Sequence, residues 1–236
     1  IPGDNVRVIC PYVGGGFGCK GSTWSHVVLA AMAAKQVNRP VKIALERPQM
    51  FGPVGARPQT RQHITLGATR DGKLTAIRHD VHCHTSVMED FLEPSAVQTR
   101  MLYACPNVET SHRLVPLNLG VPTFQRAPGE ATGTFALEVA MDELAYKLNM
   151  DPLQLRLVNY ADEDPQSKKP FTSKHLRECY TQGAEKFGWS KRNPAPRSMQ
   201  EGKQLIGWGM ATATYPGNRA PASALVRLQP DGRVLV

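Results

Sequence analysis

The pattern of apolar and polar residues in the first half of the chain predicts strands, one helix and a hairpin. Between Trp24 and Ala34 the apolar residues recur at the spacing of one helix face, and Asn38-Arg39-Pro40 ends the run. An Asp-Gly turn signal in Thr69-Arg70-Asp71-Gly72 joins two stretches of strand-forming residues. The predicted elements are a strand Val6–Cys10, a helix from about Ser22 to Gln36, a strand Val41–Glu46, a hairpin of Arg61–Ala68 with Leu74–Ser86, and a strand near Val108–Leu117.

The second half opens with the strongest helical pattern in the chain, from Ala131 to Leu148, with apolar positions at Phe135, Val139 and Leu144. Further predicted elements are a short helix from an Asp151-Pro152 cap to about Asn159, a helix capped by Thr172 or Ser173 that runs to Phe187, and strands Leu205–Thr214, Ala222–Gln229 and Arg233–Val236. This mixture of elements indicates an α+β fold with mixed sheets and packed helices.

The elements group into four segments along the chain. We predict a strand, loop, helix and hairpin segment at 1–120, a helical segment at 121–192, a linker at 193–203, and the start of a second sheet domain at 204–236. The longest weakly polar stretch, Val27–Ala34, is shorter than the about 18–20 residues of a membrane span, so we expect no membrane partner. Because the chain starts at Ile1 and ends in the largely apolar run Arg233–Val236, we expect an internal piece of a larger protein.

Composition and charge narrow the functional classes. With 41% hydrophobic and 20% charged residues, the chain is not a disordered polyelectrolyte. The formal net charge is +8, and the local excess lies between Lys168 and Lys203, with nine basic and three acidic residues. No aromatic ladder or nucleic-acid motif accompanies this stretch. We therefore predict a solvated basic face, or a contact with another segment of the parent protein, and no nucleic-acid partner.

The cysteine pattern argues against a zinc or iron–sulfur site within the chain. There are five cysteines, with no C-x-x-C spacing between any of them. His82-Cys83-His84 combines metal-ligating residue types, but alternate residues of a strand point to opposite faces. We therefore predict ordinary strand residues here.

A glycine-rich stretch, Val13 to Lys20, lies between the first strand and the first helix. Backbone without side chains can approach a ligand closely there and direct amide N–H groups at an anionic oxygen. The spacing fits neither the dinucleotide-binding nor the P-loop pattern. By pattern alone, a tight structural turn and an anion or cofactor contact both remain open.

Arg126-Ala127-Pro128-Gly129-Glu130 also joins a strand end to a helix N-terminus. A planar, permanently charged guanidinium at that place can clamp a carboxylate or stabilise a developing oxyanion. Glu130 at the helix start interacts favourably with the helix macrodipole. A purely structural turn is the alternative interpretation.

Taken together, the two segments resemble the molybdopterin-binding large subunit of the xanthine dehydrogenase/aldehyde oxidase family. The resemblance rests on Val-Gly-Gly-Gly-Phe-Gly-x-Lys before a long helix and on Arg126–Glu138, followed by Met141–Ala145 and the Asp151-Pro152-x-x-Leu-Arg-x-x-Asn pattern. The Arg-Ala-Pro-Gly-Glu form is similar to bacterial aldehyde oxidoreductases with separate iron–sulfur, FAD and molybdenum subunits.

The resemblance implies specific roles. Gly15, Gly16, Phe17 and Gly18 would form the cofactor-binding loop, with only the backbone amides of Phe17 and Gly18 approaching the molybdenum centre and no side chain acting as a metal ligand. Arg126 would be the catalytic residue that stabilises charge on the substrate oxygen. The cofactor would be molybdenum-molybdopterin in its cytosine dinucleotide form, with iron–sulfur clusters and FAD on partner subunits.

Two residues depart from the family pattern, and the second of them bears on the substrate. Cys19 occupies a position that is usually glycine, and we expect this small side chain to pack inward. Purine-oxidising members carry an acidic residue directly after the lysine, whereas this chain has Gly21, which favours a small aldehyde substrate over a nitrogen heterocycle. The resemblance also implies cofactor assembly in the cytoplasm, with a final location there or in the periplasm.

The family's general-base glutamate and most of its pterin-binding loops have no counterpart in residues 1–236. We therefore expect the chain to provide one wall of a site within a larger subunit, without catalytic activity of its own. A non-catalytic scaffold that binds partner subunits is the alternative from another functional class.

Overall fold

A three-stranded mixed sheet lies at the centre of the computed structural model, which describes residues 2–217 and 219–236. Its strands, in spatial order, are β1 (Thr60–Ala68), β2 (Leu74–Ser86) and β3 (Val108–Leu117). β1 is antiparallel to β2, whereas β2 is parallel to β3. The predicted hairpin is confirmed, since Gly72 has a φ of 86° and the Thr69 amide donates to the Lys73 carbonyl at 2.9 Å. The α+β class with mixed sheets is therefore confirmed.

Four helices accompany the sheet: α1 (Ser25–Val37), α2 (Glu130–Leu148), α3 (Pro152–Val158) and α4 (Leu176–Phe187). Asp151 caps α3 as predicted, because its carboxylate accepts the amides of Leu153 and Gln154 at 2.8 and 3.1 Å.

The predicted starts of the first and last helices were wrong. α4 begins only after His175, beyond Thr172 and Ser173, because the ammonium of Lys174 reaches back to the Ala161 carbonyl. α1 begins at Ser25, because Trp24 is extended and its indole N–H is bonded to the Cys19 carbonyl. In both cases a tertiary contact holds the preceding residues out of the helix.

Helix α2 packs against β1 through a buried stripe with a period of four residues. The stripe consists of Gly133, Leu137, Met141 and Ala145. Of the apolar positions noted from sequence, Leu144 and Leu148 pack beside this core, but Phe135 is 74% exposed. The face that meets the sheet carries Leu137, Met141 and Ala145, and at the start of the same stripe Gly133 lies against the Ser95 loop, where an added Cβ would lie only 1.6 Å from the Ser95 carbonyl oxygen. The core is completed by Leu74, Ile77, Leu102, Tyr103 and Leu155.

Several strands predicted from sequence do not form within the described residues. Val6–Cys10 and Val41–Glu46 are not hydrogen-bonded strands. Of the last three predicted strands, only short parts form. Leu205 belongs to β5 (Gln204–Leu205), which pairs with β4 (Gln200–Glu201), and β6 (Arg227–Leu228) pairs with β7 (Val234–Leu235). A strand requires a pairing partner as well as suitable residues. Val8, which is 87% exposed, has no such partner in the described part of the chain.

A buried polar cluster attaches the C-terminal segment to α2. The Glu138 carboxylate accepts hydrogen bonds from Arg156 Nε at 2.8 Å, from Tyr103 Oη at 2.5 Å and from the Thr212 amide at 2.6 Å. Burial raises the pKa of Tyr103 well above its ordinary value, so its hydroxyl stays protonated and donates. Glu138 therefore joins α2, α3 and residues around Thr212 in one network.

Candidate functional site

The glycine-rich loop, residues 13–20, contains several positive φ values, a conformation that glycine adopts readily. Gly15, Phe17 and Gly18 have φ values of 108°, 52° and 95°. An added Cβ at Gly15 would lie 2.7 Å from the Phe17 ring, and one at Gly18 would lie 2.9 Å from the Phe124 carbonyl oxygen. Positive φ together with these close approaches explains why glycine occupies both positions.

The loop is anchored from behind by Cys19 and Trp24. Cys19 is only 6% exposed, and its thiol lies 3.4 Å from the Gly16 carbonyl. The Trp24 indole N–H donates to the Cys19 carbonyl at 2.5 Å. Cys19 thus packs inward, as its size suggested, and the loop is tied to the start of α1.

The two sequence motifs meet at one cleft. An open cleft of about 550 Å³ separates the glycine-rich loop from the stretch that leads into α2. Its lining residues are Phe17, Gly18, Phe124, Gln125, Arg126, Ala127, Pro128 and Tyr215. The structure therefore brings Phe17, Gly18 and Arg126 together, whereas Gly15 and Gly16 are not among the lining residues. Tyr215 was not identified from sequence, because no motif surrounds it.

Arg126 lies at the start of a strained turn, residues 126–129, which we call the Arg126 turn. Ala127 has a φ of 54° and Gly129 a φ of 85°, so two of the next three residues are in the left-handed region. Glu130 is the first residue of α2, as the macrodipole interpretation requires. The Arg126 side chain is exposed and has neither a hydrogen bond nor an ion pair with any described residue. The backbone of the turn therefore fixes only the position and direction of its Cα–Cβ bond.

Two residues that the sequence analysis did not identify hold this turn. Arg57 Nη2 donates to the Arg126 carbonyl at 2.5 Å, and Arg57 Nη1 donates to Glu93 Oε1 at 2.5 Å. The same Glu93 oxygen accepts the Gly129 amide at 2.9 Å. Arg57 and Glu93 are 69 and 33 residues from Arg126 in sequence, so no local spacing signals the contact.

The cleft fits a ligand rich in anionic oxygens. Within the described part of the chain, nothing accepts a hydrogen bond from the amides of Phe17 or Gly18. Consecutive amides in such a conformation form a concavity that suits an anion. Of the lining residues, Arg126 alone carries a charge, and it is positive. The residues present are thus compatible with the oxygen ligands and phosphates of a molybdopterin cofactor.

His82, Cys83 and His84, whose residue types can bind metals, lie on alternating faces of their strand. Cys83 is fully buried, whereas His82 and His84 line one open surface pocket, so the alternation predicted for a strand is observed. In the described ranges no group of three or more His, Cys, Asp or Glu side chains is placed to hold a metal ion.

The basic stretch makes several contacts within the chain. The Lys174 ammonium lies 4.3 Å from the ring centroids of both Tyr160 and Phe171, and Arg177 lies 3.9 Å from that of Tyr160. Separately, none of the described helices is both long enough and apolar enough to cross a membrane.

Comparison with known proteins finds two relatives of similar sequence and a solved structure of similar fold. At 41% identity over 237 residues, the chain is similar to the aldehyde oxidoreductase molybdenum-binding subunit PaoC of Escherichia coli K12, covering all of this chain and 32% of PaoC. At 31% identity over 248 residues, it is similar to the putative xanthine dehydrogenase molybdenum-binding subunit XdhA of the same organism, covering 33% of XdhA. The chain thus spans about a third of the length of these relatives. The fold matches that of the Desulfovibrio gigas aldehyde oxidoreductase with a TM-score of 0.65 and 28% identity, covering 75% of this chain and 20% of that one.

The pattern that defines the molybdopterin cofactor-binding domain family matches residues 1–160, which include the glycine-rich loop and the whole Arg126 turn. The chain therefore belongs to the molybdopterin cofactor-binding domain family, as its two motifs indicated.

Proposed function

We propose that residues 1–236 form one wall of the active site of a molybdenum-dependent aldehyde oxidoreductase, within a longer catalytic subunit. The observation that carries this proposal is the convergence of Phe17, Gly18 and Arg126 on one cleft. The similarity to aldehyde oxidoreductase molybdenum-binding subunits supports the reaction class.

When bound, the molybdenum-molybdopterin cofactor would supply the transfer of a water-derived oxygen to the aldehyde and would accept the two electrons that the aldehyde loses as it becomes a carboxylic acid. The amides of Phe17 and Gly18, which have no acceptor among the described residues, would donate hydrogen bonds to an anionic oxygen of the cofactor. The cofactor is proposed to be the cytosine dinucleotide form, and iron–sulfur clusters and FAD on partner subunits would receive the electrons.

Arg126 stabilises negative charge that develops on the substrate oxygen. Its guanidinium is free of ion pairs with described residues, so its charge is not neutralised before substrate arrives. A donor that acts on charge formed only in the transition state lowers the barrier without tightening ground-state binding. The general base that activates water belongs to the remainder of the subunit in this proposal.

Gly21 supports an aldehyde rather than a purine as substrate. It lies directly after Lys20 and is exposed, without an acidic side chain to hold a heterocycle. A small aldehyde requires only one interaction with its oxygen, which Arg126 provides.

The proposal is tested on the full-length subunit, purified with its partner subunits. We expect molybdenum and pterin to copurify, and aldehydes to be oxidised with higher kcat/KM than nitrogen heterocycles. A preference for heterocycles would replace the proposed substrate class, and complete absence of molybdenum and pterin would favour the non-catalytic scaffold. Residues 1–236 alone are expected to bind no molybdenum tightly and to oxidise no aldehyde.

A further inference from the structure

The Arg126 turn is held at both ends by a pair of residues outside the cleft. At its start, Arg57 donates to the carbonyl of Arg126 at 2.5 Å and, more weakly, to that of Ala127 at 3.4 Å. At its end, Glu93 accepts the amide of Gly129 at 2.9 Å. The pair is closed by the ion pair between Arg57 and Glu93. The four groups therefore form a closed loop of hydrogen bonds around the turn.

The turn requires such support. Ala127 is a non-glycine residue with positive φ, a conformation that costs about 1–3 kcal/mol and persists only when surrounding contacts enforce it. Gly129 also requires the absence of a side chain, because its φ is positive and an added Cβ would lie 2.6 Å from the Pro94 carbonyl oxygen. The hydrogen bonds of Arg57 and Glu93 hold the other backbone groups of the turn in this conformation.

The pair is also poorly suited to a purely stabilising role. The Glu93 side chain is fully buried, and its Oε2 has no hydrogen-bond partner among the described residues. A buried acceptor that lacks a partner destabilises the folded state. A side chain selected only for packing would avoid that cost, whereas a carboxylate is needed to orient Arg57 and to bind the Gly129 amide at once.

We propose that Arg57 and Glu93 are positioning residues that aim the Arg126 guanidinium into the cleft. The Arg126 side chain has no hydrogen-bond partner of its own among the described residues, so the backbone of the turn sets the point from which the guanidinium reaches the cleft, and a rotation of the turn moves that point. A misplacement of about 1 Å can reduce the rate about 10²-fold. This inference rests on the proposed function, because it assigns the pair to the residue that acts on the substrate.

Three variants of the full-length subunit, with its partner subunits, test the pair. Arg57→Lys keeps the charge but removes the fork that reaches Glu93 and Arg126 together. Glu93→Gln keeps the size and one acceptor for the Gly129 amide, and it serves if the lysine variant fails to fold. Arg78→Lys is the matched control, since Arg78 forms an exposed pair with Asp80 on β2.

The first measurement is hydrogen exchange of the backbone amides at 126–131, which is independent of activity. In Arg57→Lys we expect the Gly129 amide to exchange at least about tenfold faster while the amides of β2 are unchanged, since the loss of about 1.4 kcal/mol of protection corresponds to that factor. Unchanged exchange at Gly129 would overturn the proposal. Equal acceleration in β2 would also overturn it, because that outcome shows general destabilisation.

The second measurement is steady-state kinetics combined with molybdenum content on the same preparations. We expect Arg57→Lys to lower kcat by about 10-fold to 100-fold at unchanged KM and molybdenum content. Added to Arg126→Ala, the same change is expected to cause no further loss, because there is no guanidinium left to aim. Losses that multiply in the double variant would show that the pair acts independently of Arg126.

The two measurements separate this inference from the proposed function. If the wild-type enzyme oxidises no aldehyde, the proposed function falls and the catalytic part of the inference falls with it. The exchange of the Gly129 amide then still decides whether the pair holds the turn.

Discussion

Gly18 lies directly against the backbone of Phe124, so close that a Cβ on the glycine would stand 2.9 Å from the phenylalanine carbonyl oxygen. This contact joins two loops that are more than a hundred residues apart in sequence, and both residues line the cleft. A side chain at Gly18 can be accommodated only if the loops separate.

We therefore expect Gly18→Val to reduce molybdenum content about tenfold, because a strain of about 1–2 kcal/mol at positive φ displaces the loop from the cleft. The melting temperature is expected to fall by only a few degrees, because a strain of about 1–2 kcal/mol is small for a chain of this length. Gly14→Val is the control, as nothing lies within 4 Å of a Cβ at Gly14. If the Gly18 variant is strongly destabilised but retains full molybdenum content, the loop is a structural turn and does not contact the cofactor.

Arg126→Ala is expected to lower kcat by about 10²–10³ with a smaller effect on KM, because the lost interaction forms as charge develops. Molybdenum content should equal that of the wild type. Arg70→Ala, an exposed change in the hairpin turn, is the matched control for loss of one positive charge. Unchanged kcat in a folded, molybdenum-loaded variant would show that Arg126 does not act on the substrate.

Gly133→Ala is expected to destabilise the protein by about 1–3 kcal/mol or more, because its Cβ would overlap the Ser95 carbonyl oxygen. Gly183→Ala makes the same chemical change within α4, where nothing lies within 4 Å. That variant should gain about 0.5–1 kcal/mol, because alanine loses less backbone entropy than glycine in a helix. Thermal unfolding of both variants measures the contrast. Similar melting temperatures would contradict the close packing of α2 on the Ser95 loop.

His79 makes the stability of the sheet dependent on pH. Burial lowers the pKa of His79 from 6.5 to about 4, with a smaller contribution from His112. Its Nε2 lies 2.9 Å from the Gln62 amide oxygen and its Nδ1 lies 2.7 Å from the Thr99 hydroxyl. The neutral ring therefore donates from Nε2 to Gln62 and accepts at Nδ1 from Thr99, and burial disfavours a second, charge-bearing ring proton.

Between pH 6.5 and 4 the unfolded chain binds a proton that the folded chain does not, so stability should fall as pH is lowered through this window. The full loss amounts to roughly 3 kcal/mol. Unfolding titrations of the wild type and of His79→Gln measure it, and the variant should lack this part of the pH dependence. Equal slopes in the two proteins would show that His79 does not contribute.

Removal of Arg156 is expected to have a much larger effect than removal of an exposed arginine. Arg156→Leu leaves the buried Glu138 carboxylate without its main cation, at a cost of about 3–5 kcal/mol. Arg177→Leu removes the partner of Asp162, in a pair exposed to solvent, and should change stability by no more than about 1 kcal/mol. Comparable unfolding midpoints in the two variants would contradict a structural role for the Glu138 network.

The sequence determined the elements whose stabilising interactions are local. The hairpin of β1 and β2 follows from alternation and an Asp-Gly turn, and α3 follows from its Asp-Pro cap, because both depend on residues a few positions apart. The family was also readable, since its two motifs are continuous stretches that require particular residues. Of the glycines in the first motif, Gly15 and Gly18 have positive φ, a conformation that favours glycine.

The tertiary structure decided everything that depends on distant partners. Val6–Cys10 has a strand composition, but pairing requires a neighbour that no local pattern specifies. The buried face of α2 runs through Leu137 and Met141, and only the folded chain shows that the neighbouring face with Phe135 and Val139 is exposed. Likewise, only the folded chain places Arg57 and Glu93 around the Arg126 turn, because hydrogen bonds between residues tens of positions apart leave no spacing in the sequence.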